Sequence, residues 1–195
     1  MSGDRGGPPE RLIPPHGGYD QLKSYQVAAI VFEATMAFCK RFYHERSRTR
    51  EQMEQAARSG KRNIAEGSTA SGTSRKTELK LTGVARASLE ELRGDYEDFL
   101  HDRGLPVWGK EHPQTQAVRE LAYVPNRAYE TYKGRVEEGT PEVAANTVLC
   151  LVHQANYLLD QQLRGLAERF VADGGFTERM YRVRRRARED EGKGR

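Results

Sequence analysis

The chain has 195 residues, of which 31% are charged and only 8% aromatic, and its formal net charge is +4. No apolar run approaches the roughly 20 residues of a membrane span, which argues against a membrane protein. The two cysteines, Cys39 and Cys150, fall in apolar helical patterns and predict buried free thiols in a reducing compartment. The first residues lack the apolar centre of a signal peptide, so we expect a cytoplasmic protein. A chain of this length is expected to form one domain with one hydrophobic core.

The N-terminal part of the chain begins with a breaker-rich arm and continues as a helix. Residues 1–18 are rich in glycine and proline, and we expect a disordered arm there. Apolar residues then recur every three or four positions over residues 19–45, as on the buried seam of a helix. The seam consists of Leu22, Tyr25, Ala29, Phe32, Met36, Cys39 and Tyr43.

The second helix is predicted to begin at Thr49 and to end at Gly67. Thr49 and Gln52 fit a capping box, in which both side chains satisfy free backbone amides. Small residues on its buried face, such as Ala57 and Gly60, favour the close approach of a neighbouring helix. Gly67 can adopt the left-handed conformation that ends a helix.

Two more long helices and one short helix are predicted beyond residue 73. The third helix covers about residues 74–103 and is basic in its first half and acidic in its second. Trp108 is expected to anchor the following loop on the bundle. A shorter helix covers residues 115–133, where Pro125 should kink or split it because proline has no amide proton to donate. The last long helix begins with Thr140 as cap and Pro141 at its first position.

These elements predict an all-α protein. We expect an antiparallel up-and-down four-helix bundle over residues 19–173, with one extra short helix and a basic tail over residues 174–195. No strand pattern of any length and no internal repeat is present in the sequence.

The sequence offers little support for catalysis or metal binding. The histidines are scattered, and no pair has the spacing that places two ligands on one helical face. A di-iron site would require Glu-x-x-His pairs, which the sequence lacks. His153 is expected to be a hydrogen-bonded histidine of the core or of an interface. We therefore predict a non-enzymatic protein without catalytic residues, metal or cofactor.

Clusters of basic residues are the most informative charged features. Residues 58, 61 and 62 stand at i, i+3 and i+4 and share one side of the second helix. Arginine presents a planar fork to phosphate, and released counterions drive association with nucleic acid. The predicted nucleic-acid-binding set is Arg58, Lys61, Arg62, Arg75, Lys76, Lys80, Arg179, Arg182, Arg184, Arg185, Arg186 and Arg188. From the residues alone, a solvated tail that pairs with the acidic half of the third helix is an equally open alternative.

Two motifs in these helices resemble a known family. Ser59 with the string Asn63-Ile64-Ala65-Glu66-Gly67, followed by Ala85-Arg86-Ala87-Ser88-Leu89, is similar to the four helix bundle protein family. These are the large-subunit ribosomal RNA intervening-sequence proteins, and their relatives include the accessory variability proteins of diversity-generating retroelements. The resemblance covers about residues 20–170. Residues 174–182 resemble the suffix of the four helix bundle suffix domain subgroup.

The resemblance implies an antiparallel four-helix protomer and a homopentameric ring with a basic surface. Retroelement members of the family bind RNA and a reverse transcriptase. Gln55 and the pair Gly60-Lys61 depart from the common form, which has an arginine at the first position and a hydrophobic residue and proline at the pair. A structural role, through an Asn63–Glu66 hydrogen bond or a subunit contact, is expected for the motif residues. These are Ser59, Asn63, Glu66, Gly67 and Ser88.

The sequence leaves functions of different classes open. The leading hypothesis is a homo-oligomeric accessory protein that binds nucleic acid, RNA rather than DNA, through its basic surface and acts together with a reverse transcriptase. The alternative is a protein-interaction scaffold without nucleic-acid binding, whose basic tail docks on an acidic partner. An enzyme of unknown type has the least support.

Overall fold

A computed structural model describes residues 12–13 and 15–193, which form seven α-helices and no strand. The predicted all-α fold is therefore confirmed. The helices are α1 (Lys23–Phe42), α2 (Arg48–Ala70), α3 (Arg75–His101), α4 (Pro113–Glu120), α5 (Lys133–Glu137), α6 (Pro141–Asp173) and α7 (Phe176–Lys193). Every helix in the described part of the chain falls short of the combined length and apolarity that a transmembrane span requires.

The four long helices α1, α2, α3 and α6 form an antiparallel bundle. Helix α2 packs between α1 and α3, and α6 closes the square by packing on α3 and α1. Helices α2 and α6 therefore lie diagonally opposite each other. Apolar side chains from all four helices meet on the bundle axis, where burial of this surface is the main stabilising contribution.

An aromatic cluster joins α1 to α3 across the other diagonal. The ring of Phe38 lies 4.8 Å from that of Tyr96 and 4.7 Å from that of Phe99, both in edge-to-face geometry. The Tyr96 hydroxyl donates a hydrogen bond to Thr35 Oγ1 at 3.1 Å, so this buried polar group is satisfied. The core face of α1 carries Val27, Val31, Ala34 and Phe38, whereas the residues of the predicted seam, apart from Cys39, are only half-buried.

Most of the predicted arm, residues 1–11 and 14, lies outside the described residues. Its described end contacts the bundle through Gly17, whose amide donates to the carbonyl of Ser68 at 3.1 Å. The Ser68 hydroxyl in turn donates to the carbonyl of Gly17 at 3.1 Å. A short 3₁₀ turn, Tyr19–Gln21, then leads into α1, which is shorter than predicted.

The start of α2 differs from the prediction. Ser47, two residues before the expected cap, has extended backbone and accepts a hydrogen bond from the Arg50 amide at 3.4 Å. Thr49 already lies inside the first turn of the helix. The predicted Thr49 cap is therefore wrong, because the hydroxyl that reaches a free amide three residues on belongs to Ser47.

The end of α2 also differs from the prediction. The helix continues through Gly67 to Ala70, so the predicted left-handed termination at Gly67 is wrong. A Cβ on Gly67 would lie 3.3 Å from the carbonyl oxygen of Glu78 and 3.4 Å from Leu81 Cβ. Gly67 is thus required by the close approach of α3 to α2 and not by a turn.

Between α3 and α6 the chain makes an excursion that contains two short helices instead of one. Helix α4 continues as a 3₁₀ turn, Leu121–Tyr123, and the chain then breaks at Pro125 before α5. The predicted split at Pro125 is confirmed, whereas the single helix over residues 115–133 is wrong. Trp108 anchors the excursion as expected: its amide donates to Asn146 Oδ1 at 2.8 Å and its indole Nε1 donates to Glu142 Oε1 at 2.7 Å.

Helix α6 begins and ends as predicted. The Thr140 hydroxyl accepts a hydrogen bond from the Val143 amide at 3.3 Å, and Pro141 is the first helical residue. Gly174, with φ of 72°, ends the helix in a conformation that favours glycine. The basic tail that follows is itself a helix, α7.

Candidate nucleic-acid interface

Arg75 and Arg182, two of the predicted cations, bind to the C-terminal end of α6. Arg75 Nη1 donates to the carbonyl of Arg169 at 2.9 Å and forms an ion pair with Asp173 Oδ2 at 2.9 Å. Arg182 Nη1, on α7, donates to the carbonyl of Asp173 at 3.0 Å. Cations at a helix C-terminus satisfy its free carbonyls and interact favourably with the helix dipole. Arg75 and Arg182 therefore join α3 and α7 to one end of α6.

Through this junction the start of α3 and the first turns of α7 both contact the C-terminal end of α6. Four exposed cations there form no ion pair with any carboxylate of the described residues. We call this group the cationic end, and it consists of Lys76, Lys80, Arg184 and Arg188. Arg185 is also exposed on α7, but it has a carboxylate partner: its Nε lies 3.5 Å from Glu189 Oε1.

Arg179 differs from the other tail arginines because it is buried, with 5% of its surface exposed. It begins the second turn of α7, where its amide donates to the carbonyl of Gly175. A side chain in this position contributes to seating α7 and is not presented to a polyanion. Arg186, in contrast, is exposed on α7.

The α2 cations lie apart from the cationic end. Arg58 and Arg62 are exposed on the outer face of α2, and Arg62 precedes the last helical residue by eight positions, or about 12 Å. Lys61 instead folds over the ring of Phe32, with its Nζ 4.2 Å from the ring centroid, in a cation–π contact. The structure thus separates the predicted set into a flank on α2 and an end at α3 and α7.

The acidic half of α3 has partners of its own. Glu90 accepts charge-assisted bonds from Arg86 at 2.6 Å and from Arg93 at 2.6 Å, and Arg93 also pairs with Glu97 at 2.7 Å. Burial acts to raise the pKa of Glu90, but the hydrogen bonds from these two arginines hold it below its usual value. Among the described residues, the ion pairs of Glu90 and Glu97 are made within α3, Arg86 also pairs with Asp160 of α6, and no ion pair joins this half of α3 to the tail.

Three of the five motif residues form one hydrogen-bonded cluster between α2 and α3. Ser59 Oγ lies 2.9 Å from Ser88 Oγ, and Asn63 Nδ2 donates to the Ser59 carbonyl at 2.9 Å and to Ser59 Oγ at 3.1 Å. The predicted Asn63–Glu66 hydrogen bond is wrong, because the Asn63 amide turns back to Ser59 and Glu66 is exposed. The cluster links two helices and explains these residue types without a ligand.

Tyr181 was not among the predicted site residues. It lies on α7 between the arginines and is 67% exposed. Exposed aromatic rings within a basic surface can stack on unpaired bases. The signal in the sequence that could have identified it is a single aromatic residue inside an arginine run.

The described residues show no constellation for metal or thiol chemistry. No three His, Cys, Asp or Glu side chains of the described chain come together so that they could hold a metal ion. Both cysteines are free; Cys39 is buried and Cys150 half-buried. Burial raises the pKa of Cys39 to about 12, so this thiol is protonated at neutral pH. His153 is exposed on α6, so its predicted place in the core is wrong, and an interface role stays a prediction.

Comparison with protein-family models, with curated proteins and with solved structures finds no match to this chain. The resemblance to the four helix bundle protein family therefore rests on the motif residues alone.

Proposed function

We propose that this protein is a non-enzymatic helical-bundle accessory protein that binds nucleic acid, RNA rather than DNA, at its cationic end. The observation that supports this proposal most is that Lys76, Lys80, Arg184 and Arg188 are exposed and without carboxylate partners among the described residues, on two helices that both contact the end of α6. Surfaces of this kind attract phosphate through counterion release. Tyr181, exposed beside them, supplies a stacking surface for an unpaired base.

The position of α7 supports recognition of an extended strand. Helix α7 has 18 residues, and four of its arginines, Arg184, Arg185, Arg186 and Arg188, are exposed. They lie within about 6 Å along the helix axis, so neighbouring phosphates of one strand can be contacted together. The exposed Arg58 and Arg62 offer a second basic surface on α2 for a longer ligand.

The oligomeric part of the proposal rests on the family resemblance. A closed homo-oligomer, a pentamer in the family, would repeat the cationic end around its axis and raise the avidity for one long polyanion. A reverse transcriptase is the protein partner that the resemblance proposes. Mass measurement of the purified protein in solution tests the oligomer directly.

The charge-removal experiment compares two variants with the same net charge. One carries Lys76→Gln, Lys80→Gln, Arg184→Gln and Arg188→Gln; the control carries four exposed cations changed to Gln elsewhere, at Lys40, Arg46, Arg48 and Lys133. Fluorescence anisotropy with a labelled single-stranded RNA measures affinity at low salt. We expect the first variant to lose about a hundredfold in affinity and the control to change by less than about fivefold.

Equal losses in the two variants would show that net charge alone drives association, and the cationic end would then have no special role. A Tyr181→Ala variant, with Tyr157→Ala on α6 as control, separates stacking from charge. Loss of one base stack costs about 1–3 kcal/mol, and only Tyr181→Ala should show it.

A protein-interaction scaffold is the second candidate, and exposed apolar residues favour it. Val171, near the end of α6, is 84% exposed and lies beside the junction with α7. An acidic partner could cover this residue and pair with the tail arginines. If reversal of the tail charges to glutamate abolishes capture of a protein partner and leaves RNA affinity unchanged, the scaffold replaces the RNA-binding proposal.

A further inference from the structure

A cavity of about 730 Å³ lies on the side of the bundle that is diagonally opposite α2. Its floor is the outer face of α6, and its wall is α4 with the following 3₁₀ turn, Leu121–Tyr123. The anchored loop at Trp108 stands across one end, because the Trp108 amide is bonded to Asn146 at the start of α6. This volume is typical of small-molecule sites, which measure roughly 300–1,000 Å³.

The body of the cavity is apolar. Val118 from α4 and Leu149, Cys150 and Leu151 from α6 are among its lining residues. The other end, about 16 Å along α6 from Asn146, opens to solvent. Tyr123 and Tyr157 line that end and are 88% and 63% exposed, respectively. Such a surface suits the apolar part of a ligand, with two phenol rings at the mouth.

One polar group inside the cavity lacks a partner. Thr115 is 7% exposed, and its hydroxyl oxygen has no hydrogen-bond partner of good geometry among the described residues. The neighbouring Cys150 thiol is a weak hydrogen-bonding group. A buried hydroxyl without a partner is unfavourable, and a polar atom of a ligand in the cavity would satisfy it.

The charged groups that line the cavity are of one sign. Lys110 and Arg119 contribute cations, and the described lining contains no aspartate or glutamate. Neither cation forms an ion pair with a described carboxylate. A ligand with an anionic head would therefore be attracted, whereas a cationic ligand would be repelled.

We propose that this cavity binds a small amphiphile with an aromatic or short aliphatic body and one carboxylate or sulfonate group. The body lies against Ala122 and Cys150, two partly exposed lining residues, and the anionic head contacts Arg119. A helical peptide fits less well, because a helix with its side chains is about 10–12 Å across and the Trp108 loop stands across one end of the groove. This inference is independent of the nucleic-acid proposal, because the cavity and the cationic end share no residue.

The test uses 8-anilinonaphthalene-1-sulfonate as the anionic probe and N-phenyl-1-naphthylamine, the same ring system without the sulfonate, as its neutral match. Trp108 is the only tryptophan of the chain and lines the cavity, so energy transfer from its fluorescence reports a bound probe. We expect saturable binding of one sulfonate probe per chain with quenching of Trp108. The neutral probe should bind about tenfold more weakly, because it lacks the charge-assisted contact.

Substitutions of lining residues test whether the probe binds in the cavity. Ala122→Phe fills the space beside the wall and should abolish transfer from Trp108. Arg119→Gln should weaken the sulfonate probe about tenfold and leave the neutral probe unchanged. Arg46→Gln, at an exposed arginine between α1 and α2 that does not line the cavity, is the matched control and should change neither. Thermal unfolding of each variant verifies the fold; should Ala122→Phe fail to fold, Arg119→Gln with the two probes decides.

Protection of Cys150 gives a readout that does not depend on the probe's fluorescence. Cys150 lines the cavity, whereas Cys39 is fully buried in the core and serves as the unreactive reference. Bound probe should slow alkylation of Cys150 by iodoacetamide. The proposal is overturned by absence of saturable binding, by equal affinity for both probes, by an unaltered affinity in Arg119→Gln, or by unchanged alkylation of Cys150. Dissociation of an oligomer on Ala122→Phe substitution would likewise overturn it, since a second copy would then cover the cavity.

Discussion

Gly60 has only a hydrogen atom as its side chain, and this allows α2 to approach α3 closely. A Cβ at this position would lie 2.6 Å from Leu89 Cδ2 and 2.8 Å from Leu89 Cγ, and Leu89 is fully buried. Contacts this short force the neighbouring side chain to move within a packed core. Gly83 on α3 offers a contrast, because nothing lies within 4 Å of its added Cβ.

We predict that Gly60→Ala lowers the free energy of unfolding by about 1–2 kcal/mol, because overpacking against Leu89 outweighs the better helix propensity of alanine. The control Gly83→Ala should raise it by up to about 1 kcal/mol, because only the propensity changes. Urea unfolding followed by circular dichroism measures both. A stabilising Gly60→Ala would show that α2 and α3 are farther apart than described.

Asp95 carries a partly buried carboxyl group whose ionised form is destabilised in the folded protein. Burial, and to a smaller extent the nearby Glu91 and Asp98, raise its pKa from 3.8 to about 6. Its Oδ2 is buried and has no hydrogen-bond partner among the described residues. Because the folded chain binds this proton more tightly than the unfolded chain, its contribution is most favourable below about pH 4 and is lost as the pH rises through 6.

We predict that Asp95→Asn stabilises the protein above pH 7 by about 1–2 kcal/mol, a value already reduced for the partial exposure of the carboxylate. The gain should shrink between pH 6 and 4, where wild-type Asp95 becomes protonated. Unfolding curves at pH 4 and pH 8 test this, with Glu111→Gln in an exposed loop as control. A gain that is equal at both pH values would assign the effect to packing and not to charge.

Single-residue roles followed from the sequence only where the partner was local. The Thr140 cap was predictable because its partner is the amide three residues on. The Asn63 bond to Ser59, four residues back, is also local, yet Glu66, three residues on, offered a second partner about one turn away, and sequence spacing cannot choose between them. The 29-residue separation of Ser59 and Ser88 is bridged only by the pairing of two helices.

At the scale of elements, the caps set where each helix begins. Ser47, Ser74 and Thr140 each accept a hydrogen bond from a backbone amide in the first turn of α2, α3 and α6. The sequence around α2 offered two hydroxyl residues, Ser47 and Thr49, and the capping-box pattern favoured the wrong one. Tertiary packing decides between such candidates, because it fixes the direction in which the chain enters the helix.

We predict that Ser47→Ala lowers the free energy of unfolding by about 1 kcal/mol, the usual cost of removing a helix cap. Thr49→Ala should change it by less than about 0.5 kcal/mol, because its side chain satisfies no terminal amide. Thermal or urea unfolding of the two variants provides the comparison. The reverse ranking would restore Thr49 as the cap and move the start of α2.

The long helices were predictable because each has a continuous apolar period, and the excursion between α3 and α6 was not. Residues 115–133 carry helical spacing on both sides of Pro125, so periodicity predicts one helix. In the structure the missing amide of proline ends that pattern, and the chain resumes as α5. The tail was predicted as a basic segment; in the structure it is a helix, and its Arg182 contacts the Asp173 carbonyl at the end of α6.

At the scale of the whole molecule, helix pairing decides which cations face one another. The sequence placed Arg58, Lys61, Arg62, Lys76 and Lys80 close together near one turn, whereas the bundle puts the α2 cations on a flank and the α3 cations at an end. It also joins α3 and α7 to one end of α6 through the contacts of Arg75 and Arg182. Periodicity gives the buried face of each helix, but it does not determine how a tail folds back on the bundle.

The salt dependence of RNA binding tests the central claim most directly. The dissociation constant for a labelled single-stranded RNA is measured by anisotropy between low and moderate salt, and its logarithm is plotted against the logarithm of salt concentration. Each phosphate contact contributes a slope of about 0.7 in magnitude for a single strand, so four cations of the cationic end predict a slope of about 3. The fourfold glutamine variant at Lys76, Lys80, Arg184 and Arg188 should lose most of that slope. Absence of binding at low salt, or a slope that the variant leaves unchanged, would contradict the account.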